Sequence, residues 1–324
     1  MKFKRIVFFF NGTNGYRKKF IFNGSKKKFS NIELLSVDSK LVYKELNIGT
    51  DKPTEKQLFE TPYRLINIKN IYENYSAADF CIDAYKEIKH IFSLKKIPFF
   101  VGGSMLYFKA LLDGLVTLPT SNQKIRDYIF NNLFCADKNK LFNGLKQVDF
   151  ASSSKIHIND VQRVIRALEV FFVSGGVPLS KLLTLSQKKL PYQVFQFALI
   201  PYNKKKLYNK ISVRFQKMLN NGLEEEVRNL YTQISRKNTF PFMNSIGYKQ
   251  MWEYLEKKCT YQEMICNTLQ ATRKLVKHQL TWLRKWKNIN LIYDNNKDIL
   301  MKKIKKSFIT KNNTFINLKF IINN

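Results

Sequence analysis

Histidine and cysteine are scarce in this chain. Its 324 residues hold three histidines, His90, His157 and His278, and four cysteines, Cys81, Cys135, Cys259 and Cys266, scattered without the close pairing of a zinc site. The scarcity argues against a structural metal centre or a disulfide framework and for a reducing cytoplasm. Acidic residues are also few, 24 against 56 Lys and Arg, a formal charge of +32. That imbalance favours an acidic polymer as partner, although a Lys/Asn/Ile/Phe bias also spreads charge with no site behind it. Long apolar runs are missing. The run KRIVFFF is too short to cross a bilayer and no small-residue cleavage pattern follows it, so the expectation is a soluble monomer with no membrane partner. The length suffices for a buried core and a second lobe, and no internal repeat is visible.

What is there begins with FNGTNGYRKKF, Phe10 to Phe20, directly behind that apolar run. Val, Ile and Phe in succession read as a buried parallel strand entering a glycine turn. Gly12, four residues and then Arg17-Lys18-Lys19 match the spacing of a phosphate loop, but Arg17 stands where the pattern has Gly and Lys19 where it has Ser or Thr. Backbone N–H groups at a helix start need no particular side chain, so phosphate binding can survive such changes. Gly12 and Gly15 permit sharp backbone, and Lys18 adds a charge. A coincidental lysine-rich turn is the competing reading of the loop taken alone.

Ile32 to Val37 in NIELLSVDSKLVY and Ile97 to Val101 in KKIPFFVGGSMLYFKALLDGL read as further strands, ending at Asp38-Ser39 and, past Gly102-Gly103, at Ser104, the expected start of a helix. Ligands of open α/β sheets sit beyond the carboxyl ends of the strands, so these residues are expected to converge with the first loop. From Leu118 the pattern turns helical. Val161, Val164, Ile165, Leu168 and Phe172 recur at helical spacing, with Asn159 as expected cap and Gly175-Gly176 and Pro178 as stop, while Gln162, Arg163 and Arg166 lie off that stripe. A solvated face of a core helix explains these three equally well. Leu190 to Ile200 alternates like a strand returning to the sheet. Helices are expected around KISVRFQKMLNNGLEEEVRNLY and EMICNTLQATRKLVKHQLTWLRKW, and the Lys/Asn/Ile-rich tail carries no motif.

The blocks LLSVDSKLVYKELNIGTDKPT, NYSAADF, PFFVGGSMLYFKALLDGL, INDVQRVIRALEVFF, LPYQVFQFAL, RFQKMLNNGLEEEV, SIGYKQMWEYL and ATRKLVKHQLTWLRKW, in this order, resemble the signature blocks of the bacterial tRNA dimethylallyltransferases from about residue 5 to 288. The resemblance implies an α/β fold with a P-loop NTPase-like parallel sheet flanked by helices and an inserted helical tRNA-binding lobe. The expected division is residues 1–119 for the first part of the core, 120–190 for the lobe, 191–288 for the rest of the core and 289–324 for the C-terminal segment. The implied reaction moves a dimethylallyl group from its diphosphate to N6 of adenosine 37 in tRNAs reading codons that begin with U, with Mg²⁺ as cofactor.

Residue by residue, the resemblance makes Asp38 the general base for a nitrogen whose lone pair is shared with the purine ring. It makes Ser104, where the family has Thr, a contact to base and diphosphate. Gly12, Thr13, Asn14, Gly15, Tyr16, Arg17, Lys18 and Lys19 become the diphosphate cradle, with Arg214 on the same ligand. It assigns to the tRNA anticodon stem-loop Asp38, Ser39, Lys40 and Leu41, then Arg126, then Gln162, Arg163, Val164, Ile165 and Arg166, and finally Ser245, Ile246, Gly247, Tyr248 and Lys249. Departures are Arg17, Lys19, Tyr63 and Asn67 in place of His and Asp, Lys249 for a common Arg, and His278 for an Arg. They keep open a non-catalytic tRNA-binding remnant, and less so a nucleotide-dependent kinase, for which the Lys-Ser/Thr pair is missing.

Overall fold

The computed structural model describes residues 5–12, 31–116, 118–134, 137–185, 189–234, 240–296 and 302–303. Thr13, Asn14, Gly15, Tyr16, Arg17, Lys18 and Lys19 lie outside the described residues.

Among the described residues six strands, β1 Ile6–Gly12, β2 Ile32–Val37, β3 Tyr63–Arg64, β4 Ile97–Gly102, β5 Gln193–Ile200 and β6 Asn290–Tyr293, form one sheet in the order β3-β2-β4-β1-β5-β6. Every pairing is parallel. The central position of β1 and β4 follows from their composition: both are unbroken apolar runs, which suit strands covered on two faces. One face of the sheet sets Phe8, Phe10, Phe99, Val101, Phe197 and Leu199 against Leu207, Ile211 and Val276 from helices Lys204–Asn220 and Tyr261–Lys285. On the other, Phe9 packs on Phe100 and Phe108, and Phe80 on Phe100 and Tyr107, which brings in helices Ala77–Ser93 and Met105–Asp113. Each fully buried aromatic ring contributes about 2–3 kcal/mol by leaving water, so this double-sided phenylalanine packing is the main hold on the sheet.

The chain divides into two compact units, residues 1–112 with 191–324, and Asp113–Leu190. The second unit contains helices Gln123–Tyr128, Lys138–Val148, Phe150–Ser153, Val161–Val173 and Leu179–Leu182, with a π-helical turn at Ile129–Phe134. Its core is Ile129, Leu141, Leu145, Val164, Ala167 and Leu168, the apolar stripe of Val161–Val173 closed by its neighbours. Asp160, not the expected Asn159, caps that helix by accepting from the Arg163 N–H. Gly175 and Gly176, at φ +70° and +95°, end it as expected.

The segment read as motif-free holds β6. Asn290 Nδ2 donates to the Gln196 carbonyl, the Asp294 N–H to the Ile200 carbonyl and the Tyr202 N–H to Asp294 Oδ1. Four residues are too few to show alternation; pairing with β5 makes them a strand. Among the described residues no helix is long and apolar enough to cross a membrane.

Candidate active site

Register brings three strand ends level. Val37 of β2 and Asn11 of β1 both pair with Gly102 of β4, and Gly12 pairs with Leu199 of β5. Asp38, Gly103 and Gly12 therefore leave neighbouring strands side by side at their carboxyl ends. Gly102 permits this closeness: a Cβ there would stand 2.0 Å from the Val37 carbonyl oxygen. That oxygen instead accepts from the Gly103 and Ser104 N–H groups at 3.2 and 3.3 Å, and the Gly103 carbonyl accepts from Gln279 Nε2 at 3.1 Å.

Asp38 closes an Asx-type turn, Oδ1 accepting from the Lys40 N–H at 2.9 Å. The Ser39 N–H donates to Ser104 Oγ at 3.2 Å, which ties the two candidate catalytic residues across the strand gap. A cavity of about 10 Å³, room for one water, lies among Ser36, Asp38, Leu41, Tyr63, Ile66, Val101 and Gly102. Burial pushes the Tyr63 phenol up to about 12, so it stays protonated beside the carboxylate. Leu65 and Asn67 adopt left-handed backbone at φ +61° and +57°. Asn tolerates that region; a buried Leu there is strained, next in the chain to Ile66, which lines the cavity. Both side-chain polar atoms of Asn11 are buried without a hydrogen-bond partner among the described residues.

Lys40 crosses to a different segment. Its ammonium donates to the Pro241 carbonyl at 3.0 Å, and burial, opposed by the charge of Asp38, holds its pKa below the usual range. Ser245–Lys249 follows that carbonyl in the chain, so the first and last expected RNA-contact segments are joined. Arg214 lies 3.5 Å from Asp51 Oδ2. The loop that carries Asp51 is held by Glu226, whose carboxylate accepts from the Asn47, Ile48 and Gly49 N–H groups and from the Tyr248 hydroxyl. Gly49 is needed here because a Cβ would come within 2.5 Å of the Tyr248 ring. Lys52 donates to the Tyr43 and Lys44 carbonyls, and burial, against the charges of Glu226 and Glu45, brings its pKa down to about 8.

The side chains of the segments expected to meet RNA divide by burial. The side chains of Leu41, Val164 and Tyr248 are buried and Ile165 packs on the helical core, so helical periodicity turns two of the five residues 162–166 inward. Ser245 is buried with its hydroxyl unpartnered among the described residues, and Gly247, at φ +92°, serves the turn into helix Tyr248–Leu255. Ile246 is half-buried. Gln162, Arg163 and Lys249 are exposed. Arg126 and Arg166 both clamp Glu169, a fully buried carboxylate that also accepts from Ser121 and the Asn122 N–H; Arg166 further donates to the Pro119 carbonyl. Burial alone would raise Glu169, but the hydrogen bonds from Arg126 and Arg166 override it and hold the carboxyl at about 2.

Sequence reasoning missed Glu226 and Glu169. Within LEEEV nothing in composition separates Glu226 from Glu224 and Glu225; its position between buried Leu223 and Leu230 on the helical stripe was the available signal. Glu169 sits between Leu168 and Val170, where periodicity alone gives it no role.

Together these features define a class: a parallel α/β protein with a carboxylate and a hydroxyl converging at the carboxyl edge of its sheet. The family model for IPP transferase matches residues 41–286, and the chain belongs to this family, that of the bacterial tRNA dimethylallyltransferases. It is 56% identical over 306 residues to the tRNA dimethylallyltransferase of Buchnera aphidicola subsp. Cinara cedri, covering 94% of this chain and 98% of that protein. The crystal structure of a tRNA isopentenylpyrophosphate transferase from Staphylococcus epidermidis superposes with a TM-score of 0.66 at 25% identity, covering 95% of this chain and 100% of that one. A eukaryotic dimethylallyltransferase acting on tRNA shares the fold at TM-score 0.78 and 24% identity, over 97% of this chain and 81% of that one.

Proposed function

We propose that this protein transfers the dimethylallyl group of dimethylallyl diphosphate to N6 of adenosine 37 in tRNAs reading codons that begin with U, releasing diphosphate. The observation that carries the reading is the joining of Asp38 to Ser104 through the Ser39 N–H, at strand ends level with Gly12, within a chain of this family.

The exocyclic amine is a weak nucleophile, and a carboxylate within hydrogen-bond reach orients it and takes its proton as the new C–N bond forms. Asp38 supplies that acceptor, its carboxylate held at the rim by the Lys40 N–H. The allylic C–O bond breaks and negative charge moves to the diphosphate, where the Ser104 hydroxyl stabilises it; the expected cradle, Thr13 to Lys19, lies outside the described residues. Ser104 keeps the donor capacity of a threonine and loses only a methyl group. Among the described residues no cluster of three acidic, His or Cys side chains forms a metal cage. The hard oxygens of Asp38 and Ser104 would suit a Mg²⁺ ion, which would supply neutralisation of leaving-group charge. Gln162 and Arg163 of the helical unit, with Lys249, contribute contacts to the anticodon stem-loop, from which the target base is extracted at lower cost than from a duplex.

Incubation of the purified protein with unmodified tRNA, Mg²⁺ and radiolabelled dimethylallyl diphosphate is expected to label the tRNA at adenosine 37. Binding of tRNA with no transfer would instead establish the non-catalytic remnant that Arg17 and Lys19 favour.

A further inference from the structure

We propose that Tyr72 is a stacking platform for an unpaired anticodon-loop base other than the reacting adenine, an inference that rests on the functional reading above. Tyr72 is 55% exposed and forms the outer end of a series of rings running into the core. Its ring meets Phe240 edge-on at 5.5 Å, Phe240 stacks on Phe242 at 6.3 Å, and Phe242 meets Tyr248 at 6.4 Å. Phe242 and Tyr248 are buried, so the series is anchored from within, and the outer ring is presented with little freedom to lose on binding.

The turn beneath Tyr72 is fixed as well. The Glu73 N–H donates to the Asn70 carbonyl, and the Glu73 carboxylate accepts from the Asn70 N–H at 2.7 Å and from the Lys69 ammonium at 2.8 Å. Lys69 in turn exchanges backbone hydrogen bonds with Val42 and Lys44. Two connections therefore lead from this ring to the Asp38 turn: one along 42–44, the other through the Lys40 bond to Pro241, between Phe240 and Phe242. Among the neighbouring cations Lys44 is exposed and suits a phosphate backbone, while the ammonium groups of Lys40 and Lys69 are held by Pro241 and Glu73. An open aromatic face beside such cations binds a splayed single-stranded base with little sequence preference. When the target adenine leaves its stack, a loop neighbour loses a stacking partner, and Tyr72 replaces it.

The test uses the full chain and anticodon stem-loop RNAs with 2-aminopurine placed at one loop position at a time. The parent is expected to quench one position other than the target. Tyr72→Phe keeps the quench, whereas Tyr72→Ala loses it and raises the RNA Kd about tenfold, with kcat at saturating RNA within about threefold. Thermal melts of the three proteins are expected to agree within a few degrees. Unchanged quench and Kd in Tyr72→Ala overturn the proposal while leaving transfer activity intact. A quench lost equally in Tyr72→Phe also overturns it, because the hydroxyl rather than the ring would then be responsible, and a quench lost together with the thermal transition overturns it because the ring would be structural. A parent that binds no stem-loop overturns the functional reading and this proposal together, and is distinguishable from both.

Discussion

Two carboxylates set the two regions of the molecule against each other. In the helical unit Glu169 is fully buried and bound by two guanidinium groups, a backbone N–H and a hydroxyl; every lone pair is engaged, so it can hold structure and do little else. At the sheet edge Asp38 is half-buried, beside a water-sized cavity and a serine hydroxyl. The same functional group is saturated by four partner groups in one region and stands half-buried at a strand's carboxyl end in the other. The arginines follow the same division: Arg166, 30% exposed, belongs to Glu169, while Arg163, 71% exposed and 3.1 Å from Asp160, is spread toward solvent.

The sharpest way to break this comparison is Glu169→Gln. Removing the buried charge that holds two guanidinium partners is expected to cost about 3 kcal/mol, with faster hydrogen exchange across 113–190 and little change in the sheet. The pH dependence has a fixed sign. The carboxyl is depressed in the fold, so its stabilisation is complete above the unfolded value of about 4.3 and is lost as pH falls toward about 2. Acid titration of parent and variant stabilities should converge across that window, and parallel curves would refute the assignment. Asp38→Asn comes next: turnover falls about 10² or more with tRNA affinity within a few fold and the melting temperature unchanged. Parallel loss of turnover and affinity would make Asp38 a docking residue.

Glu226→Gln should cost about 1–2 kcal/mol, since the carboxylate is replaced by an amide with one acceptor for three N–H groups and a hydroxyl, and exchange at Asn47, Ile48 and Gly49 should accelerate. The smallest effect separates the arginines. Arg163→Ala is expected to weaken tRNA binding a few fold and lower its salt slope by about one, with stability unchanged, whereas Arg166→Ala also lowers stability. Identical stability of the two variants would erase the contrast between them.

Much of the sheet was legible because buried parallel strands announce themselves. Ile32–Val37 is a strand as read, and Ile97–Gly102 extends the expected one by a residue, because apolar runs bounded by turn residues leave few alternatives. The convergence of Asp38 and Ser104 was legible for the same reason, since both follow strands directly. The resemblance placed Val164, Leu41 and Tyr248 in RNA-contact segments and their side chains are buried, because a resemblance transfers a whole segment while periodicity decides which side chains face out.

By itself the sequence determined the alternation of strands and helices, the glycine at 102 and the strong positive charge, since these depend on local composition and on steric limits at single positions. Only tertiary structure decided that Glu169 and Glu226 are bound while similar carboxylates are exposed, and that four tail residues form an edge strand. It also placed Tyr72 at the outer end of an aromatic series. Each of these depends on partners tens of residues away, and burial and hydrogen-bond saturation are properties of that assembled neighbourhood rather than of any stretch of chain.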